Sequence, residues 1–397
     1  MQYRPFGKLD FQVSALGFGA MRLPTQDGKI DEAEAAKMLH YAIDHGVNYV
    51  DTAIHYHGSN SERFLGRALK GGYRERIKLA TKLFPPYVEG PQDFDRLLNE
   101  QIEKLQTDHV DFYLLHGINR RWWPKIRDLD VLDWAERAIA DGRVGHLGFS
   151  FHDEYEVFEE IVDAYDKWAM CQIQYNFMNG DYQAGAKGLK YAASKGLAVV
   201  IMEPLLGGRL ANAPQSVQGV WDAAPNKHAP AAWGLQWLWN QPEVSVVLSG
   251  MSTLQQVEEN VASADASGAG TLTEEELTLV DRAREAYQRL GAIPCTGCGY
   301  CQPCPNGVDI PYNFKLYNDG LMYEGENPGY ARWWYRFMAE AEGFEGDYHR
   351  EKGQAAKCIQ CQECEEKCPQ SIPISEWMSI VHQVLGEGKP YGERPLR

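Results

Sequence analysis

Eight short apolar runs, separated by longer polar or amphipathic stretches, dominate the first two-thirds of this chain. They are Ser14–Gly19, Val47–Asp51, Ile77–Lys82, Val110–His116, Val144–Ser150, Met170–Gln174, Leu197–Met202 and Val244–Gly250. Each is β-branched or aromatic in parts and has the length of a strand buried on both faces. Helical periodicity fills stretches between them, among them Asp31–His45, Ser61–Leu69, Phe94–Leu105 and Tyr155–Lys167. Parallel strands need crossover helices to return the chain to the same end, and those helices cover the sheet. Eight such units over about 250 residues predict a closed (β/α)8 barrel. A doubly wound sheet would instead carry a G-x-G-x-x-G phosphate loop. The nearest match, Gly17-Phe18-Gly19-Ala20-Met21-Arg22, lacks the third glycine. Thr273 and Glu276 read as a capping box opening a last helix to about Leu290. Gly291-Ala292-Ile293-Pro294 follows, so the expected domains are 1–290 and 291–397.

Eight of the nine cysteines lie in two runs of the second part, Cys295-x2-Cys298-x2-Cys301-x2-Cys304-Pro305 and Cys358-x2-Cys361-x2-Cys364-x3-Cys368-Pro369. Three thiols at successive spacings of three, then a fourth followed by proline, suit a [4Fe–4S] cube. Zinc also takes four cysteines, but its sites usually pair two separated C-x2-C knuckles. Disulfide frameworks belong to small secreted domains, and this chain has 397 residues and opens without a secretory pattern. Cys298-Gly299-Tyr300-Cys301 alone would resemble a thioredoxin-type pair, yet it sits inside a four-cysteine run. Cys171, in an apolar strand-like run, reads as a buried small hydrophobe.

The tail resembles the two-cluster ferredoxins, in which the fourth cysteine of each run ligates the other cluster. That resemblance implies one set of Cys295, Cys298, Cys301 and Cys368, and another of Cys358, Cys361, Cys364 and Cys304. The x2 closing of the first run departs from the pattern. The long insert, with the aromatic helical stretch Pro328–Met338, points to a mainly α-helical ferredoxin-like iron–sulfur domain. Trp333, Trp334 and Phe337 are expected to pack in its core.

At 44% hydrophobic and 24% charged, the composition is that of an ordinary globular chain with ample core material. A formal charge of −16 argues against nucleic acid as a partner. No apolar run approaches the length of about 18 residues that a membrane helix needs. Reduced cysteines around iron–sulfur centres suggest a cytoplasmic location.

Active residues of a (β/α)8 barrel sit where strands end. The ends of the second, third and fourth runs give Asp51, Lys82 and His116, with Tyr56 five residues beyond Asp51. Singly each is weak, since a strand-end Asp usually caps a helix and a lone Lys is usually solvated. Together they suit carbonyl reduction. A carbonyl accepting hydride builds charge on oxygen and needs a proton. Tyrosine, with a pKa of about 10, gives one reluctantly. A neighbouring ammonium stabilises the phenolate and is expected to lower that pKa. Asp51 would hold Lys82, and His116 would orient the carbonyl by a hydrogen bond.

Asp51-Thr52-Ala53-x2-Tyr56, Ala80-Thr81-Lys82 and Tyr113-Leu114-Leu115-His116 resemble the tetrad of the aldo-keto reductase superfamily in order and position, over about residues 1–265. The resemblance implies Tyr56 as acid/base, Lys82 and Asp51 tuning it, His116 orienting a small-molecule carbonyl or alcohol, and NAD(H) or NADP(H) as cofactor. It implies that Ser150 and Gln172 touch the carboxamide, with Phe151 in place of the usual asparagine. Met202 replaces the stacking aromatic. Pro204, Leu205 and Gly207 belong to a diphosphate loop, and Glu259 and Asn260 to the adenine contacts. Gly250 and Gln256 stand where cations usually meet the 2′-phosphate, which favours NAD and leaves a different redox cofactor open. Met21, Arg22, Trp122 and Trp123 are candidates for the pocket wall, with loop packing the equal alternative, and His55 and His57 read as pocket lining. Hydride moves two electrons and each cluster accepts one, so a flavin or an electron-transfer protein is implied if the two centres are coupled. The competing function is an electron-transfer subunit whose barrel docks a redox partner.

Overall fold

The computed structural model describes residues 1–325, 327–340 and 353–392. The chain divides into two compact units, Met1–Ala211 with His228–Leu277, and Asn212–Lys227 with Thr278–Arg397.

In the first unit, eight parallel strands close into a barrel in chain order. They are β1 (Leu16–Gly19), β2 (Tyr49–Asp51), β3 (Lys78–Leu83), β4 (Val110–Ile118), β5 (Val144–Phe151), β6 (Met170–Gln174), β7 (Ala198–Met202) and β8 (Val244–Ser249). All eight expected strands are present, each bound within two residues of its apolar run. The helices, in chain order, are α1 (Glu32–Asp44), α2 (Ser61–Ala68), α3 (Gln92–Leu105), α4 (Trp122–Arg127), α5 (Val131–Ala140), α6 (Tyr155–Asp163), α7 (Gly185–Ser194), α8 (Gln215–Asp222), α9 (Pro230–Trp239), α10 (Leu254–Asp265), α11 (Glu274–Leu290), α12 (Ile310–Tyr323), α13 (Gly329–Glu340) and α14 (Ile374–Val381). Their starts follow local chemistry. Asp31 accepts from the Glu34 amide to cap α1, and Thr253 accepts from the Gln256 amide to cap α10. The capping box is realised: Glu276 accepts from the Thr273 amide at 2.9 Å, and Thr273 Oγ1 accepts from the Glu276 amide at 3.2 Å.

A hairpin of Tyr3–Phe6 and Leu9–Ser14 supplies Phe6 and Val13 to the barrel-interior cluster, with Tyr49, Phe112, Leu114, Met170, Val200 and Val246. Phe6 and Phe112 meet with ring centroids 4.7 Å apart. This hairpin is absent from the sequence reading, because Pro5 and Gly7 interrupt the apolar pattern. A larger cluster fills the layer between strands and helices. Cys171 is fully buried there, as expected of a small hydrophobe.

The second unit has its own core, with Ile310, Phe314, Tyr317, Trp377 and Met378 at its centre. The aromatic stretch is helix α13, but its residues divide between surfaces. Ala331 and Tyr335, four apart, are buried, whereas Trp333 is 54% exposed, which corrects the expectation that it packs in the core. Helical periodicity turns residue 333 away from the 331/335 face. Trp333 instead stacks on Phe337 at 5.5 Å.

Candidate active site

The register of β2 on β3 pairs Asp51 with Ala80, so Lys82, two residues further, projects on the same inward face. Its Nζ donates to Asp51 Oδ1 at 2.6 Å and to the Thr52 carbonyl at 2.7 Å, and lies 3.5 Å from Tyr56 Oη. The Lys82 and Asp51 side chains are 0% and 2% exposed. Gln172, on β6, donates to Asp51 Oδ2 at 3.2 Å. His116, near the end of β4, faces Tyr56 edge-on at 6.1 Å. Thus all four expected residues converge at one end of the barrel. His55 joins them, stacked on His116 at 4.9 Å and edge-on to Tyr56 at 5.1 Å. The buried Nδ1 atoms of His55 and His116 have no hydrogen-bond partner among the described residues.

Burial opposes the Lys82 charge, but Asp51 and Tyr56 outweigh it and hold the ammonium above its ordinary pKa. Burial raises Asp51, against the pull of Lys82 and Gln172. Burial also raises Tyr56; Lys82 pulls it down and Asp51 pushes it up. The net direction corrects the expected lowering, because desolvation of the phenolate outweighs the neighbouring ammonium. Burial, then the Lys82 charge, brings His55 down to about 4. His116 is held well below the ordinary imidazole value by burial, then by Lys82, His55 and His152. Both rings are therefore neutral at physiological pH. This end of the barrel holds one cation, one anion, one phenol and two neutral imidazoles, an arrangement able to move a proton at Tyr56 Oη.

Behind Lys82 lies a polar network that sequence reasoning missed. Thr81, adjacent on β3, points outward and donates to Glu62 Oε1 at 2.7 Å. Gln101 donates to the same oxygen at 2.7 Å and to the Lys82 carbonyl at 3.1 Å, while Tyr113 donates to Gln101 Oε1. Glu62 is fully buried on α2. Its helix approaches α3 closely because a Cβ on Gly66 would stand 2.4 Å from the Lys104 carbonyl oxygen. The available signal was a glutamate on the buried stripe of a helix directly after Tyr56.

The residues expected to hold a dinucleotide lie on β5 to β7, the turns after β7 and β8, and α10. Ser150 Oγ accepts from the Gly117 amide at 2.8 Å. Phe151 points the other way, into the helix layer, with its ring 5.1 Å from Phe158 of α6. Met202 ends β7, followed by Pro204, Leu205 and then Gly207 and Gly208 at φ +68° and +94°. Gln256 accepts from the Ser252 amide, Glu259 from Gln255, and Asn260 donates to Ser249 Oγ. Trp122 and Trp123 are buried in α4, where loop packing accounts for them; Met21 is exposed.

In the second unit, Cys295, Cys298, Cys301 and Cys368 line one cavity with Ile310, Phe314, Ile372 and Ile374. This is the first of the two expected sets. Burial, with nearby thiols adding to it, pushes Cys301 up to about 11. Cys364 rises to about 11 from burial, with Glu365, Cys358 and Cys301 adding to it. Among the described residues, no three His, Cys, Asp or Glu side chains converge as a single ion would require. Four thiols around an apolar-walled cavity fit a multi-atom cluster. Asn313, fully buried, ties the two cysteine segments: it donates to the Gly353 carbonyl at 2.9 Å and accepts from the Ala355 amide at 2.9 Å. Sequence reading gave it no weight, since nothing local marks it.

Fold and site together define a barrel enzyme with an ionisable centre at one end, continued by a two-segment cysteine domain. The Aldo/keto reductase family model matches residues 15–285, and the 4Fe-4S dicluster domain model matches residues 294–372. This chain belongs to the aldo/keto reductase family and is an oxidoreductase with a C-terminal 4Fe-4S domain. An uncharacterized oxidoreductase of Bacillus subtilis is 30% identical over 230 residues, covering 53% of this chain and 68% of its own. L-galactose dehydrogenase of Arabidopsis thaliana is 28% identical over 313 residues, covering 73% and 96%. The holo form of aldo-keto reductase AKR11C1 from Bacillus halodurans superposes with a TM-score of 0.60 at 26% identity, covering 71% and 96%. No helix among the described residues is long and apolar enough to cross a membrane.

Proposed function

We propose that the barrel interconverts a small-molecule carbonyl and its alcohol with NAD(H) or NADP(H), using Tyr56 as acid and base. The observation that carries this reading is the buried Lys82 ammonium, 2.6 Å from Asp51 and 3.5 Å from the Tyr56 hydroxyl. A bound nicotinamide supplies or accepts the hydride. Tyr56 Oη gives its proton to the carbonyl oxygen, and the Lys82 ammonium steadies the phenolate left behind. Asp51 keeps Lys82 charged and aimed. His116, neutral, donates a hydrogen bond that orients the carbonyl, with His55 stacked beside it. Ser150 on β5 and Gln172 on β6 would meet the carboxamide, and Pro204, Leu205, Gly207 and Gly250 on the loops, with Gln256, Glu259 and Asn260 on α10, would meet the rest of the dinucleotide.

Two clusters, held by the eight tail cysteines, supply one-electron transfer when bound. A cluster protein with reduced cysteines is suited to the cytosol. A barrel that served only to dock a redox partner would have no use for a desolvated ammonium beside a phenol, which favours the enzyme. Tyr56→Phe tests it. Removing the proton donor is expected to lower carbonyl reduction by about 10²–10⁴-fold, with dinucleotide affinity unchanged. Retention of turnover in Tyr56→Phe would refute the assignment.

A further inference from the structure

The loop after β1 carries an arginine whose setting is unusual. Arg22 is exposed, and its guanidinium makes no hydrogen bond or ion pair among the described residues. In a chain with 55 acidic residues, a cation left without a partner needs a reason. Its backbone is pinned on both sides. Ser252 Oγ donates to the Arg22 carbonyl at 2.9 Å, and the Leu23 amide donates to His57 Nε2 at 3.2 Å. From that root the side chain crosses two glycines on two other loops. A Cβ on Gly250 would stand 3.2 Å from the Arg22 Cγ and Cδ methylenes, and a Cβ on Gly207 would stand 2.9 Å from Nη2. The stem thus lies over the turn after β8, and the charged end reaches the turn after β7. The first turn of α10 beside it carries no acidic residue. Gln256 is already engaged with the Ser252 amide.

We propose that Arg22 is the phosphate-binding cation of the dinucleotide site. On this proposal it meets the diphosphate bridge shared by NAD(H) and NADP(H), and Gly250 exists to let its stem pass. The proposal rests on the nicotinamide reading above. The charge comes from the loop after β1, while positions 250 and 256 still offer none to a 2′-phosphate. A planar guanidinium suits a phosphate because two N–H groups can meet two oxygens at once. A side chain at 250 would crowd the Arg22 stem and make it shift, so the two positions are coupled.

The test measures NADH and NADPH binding to the intact, cluster-loaded protein by calorimetry, with no substrate present. Arg22→Gln keeps the stem and removes the charge, and is expected to weaken both dinucleotides by about tenfold or more. Arg22→Lys should restore part of that loss. Gly250→Lys alone should weaken both, because it crowds the arginine stem; adding Arg22→Ala removes the crowding, and should leave NADH as weak as in Arg22→Gln while shifting preference to NADPH. Unchanged affinities in Arg22→Gln, or weakening of NADPH alone, would overturn the diphosphate assignment while leaving the nicotinamide reading in place. A wild-type protein that binds neither dinucleotide would overturn both.

Discussion

Lys82 and Asp51 show how much an enzyme site can ask of its fold. Two opposite charges with almost no exposure cost several kcal/mol each in desolvation, offset only while they face each other. Lys82→Met leaves Asp51 buried and alone, and is expected to cost about 3–5 kcal/mol of stability, read as a lower denaturant midpoint. The double variant Lys82→Met with Asp51→Asn should recover much of that loss. The histidines set a pH dependence of definite sign. His55 titrates near 4 in the folded state, against about 6.5 unfolded, so the unfolded chain binds more protons in between. Stability is therefore fully present above about pH 6.5 and falls as pH drops towards 4. His55→Phe should flatten that fall in urea titrations at pH 7 and 5. Reduction should show no inflection between pH 7 and 8, since both imidazoles are neutral there and Tyr56 stays protonated. The four converging residues were legible because strand ends mark them. Glu62 and Gln101 were not, because their roles depend on α2 lying against α3 and β3.

At the scale of the element, buried polar groups decide what holds. Asn313 on α12 accepts from the Ala355 amide, just ahead of the second cysteine segment, so Asn313→Ala strands that donor in the interior, while the Gly353 carbonyl keeps the Asp309 amide. The expected cost is about 1–3 kcal/mol per unmet group. Its sign in experiment is a lower iron and sulfide content after anaerobic purification, with the barrel's circular dichroism unchanged. Equal iron and sulfide in the wild type is expected; zinc without sulfide would point to a structural zinc module. Barrel strands were readable because an apolar run buried on both faces leaves few alternatives. The first hairpin was not, because its pattern is broken by Pro5 and Gly7. Its inward residues are recognised only by the barrel that receives them. The orientation of α13 was equally hidden, since Ala331 and Trp333 look alike in importance until one helical face is known to be buried.

For the molecule as a whole, two separate cores imply two separate stabilities. The second unit has a small apolar centre and eight thiols around it, so bound clusters contribute much of its folding free energy. Chelating the iron is expected to unfold that unit while the barrel keeps its own cooperative transition, seen as an early loss of helical signal followed by an unshifted second step. The Phe6–Val13 hairpin has a consequence for how such a chain is made. It leaves the ribosome before its seat, which is built from Phe112, Met170, Val200 and Val246. For most of synthesis those apolar side chains have no barrel to enter, and contacts so distant in sequence form late. Residues translated ahead of every barrel strand are thus among the last to find their place, and the nascent chain must keep them from sticking elsewhere until the eighth strand emerges.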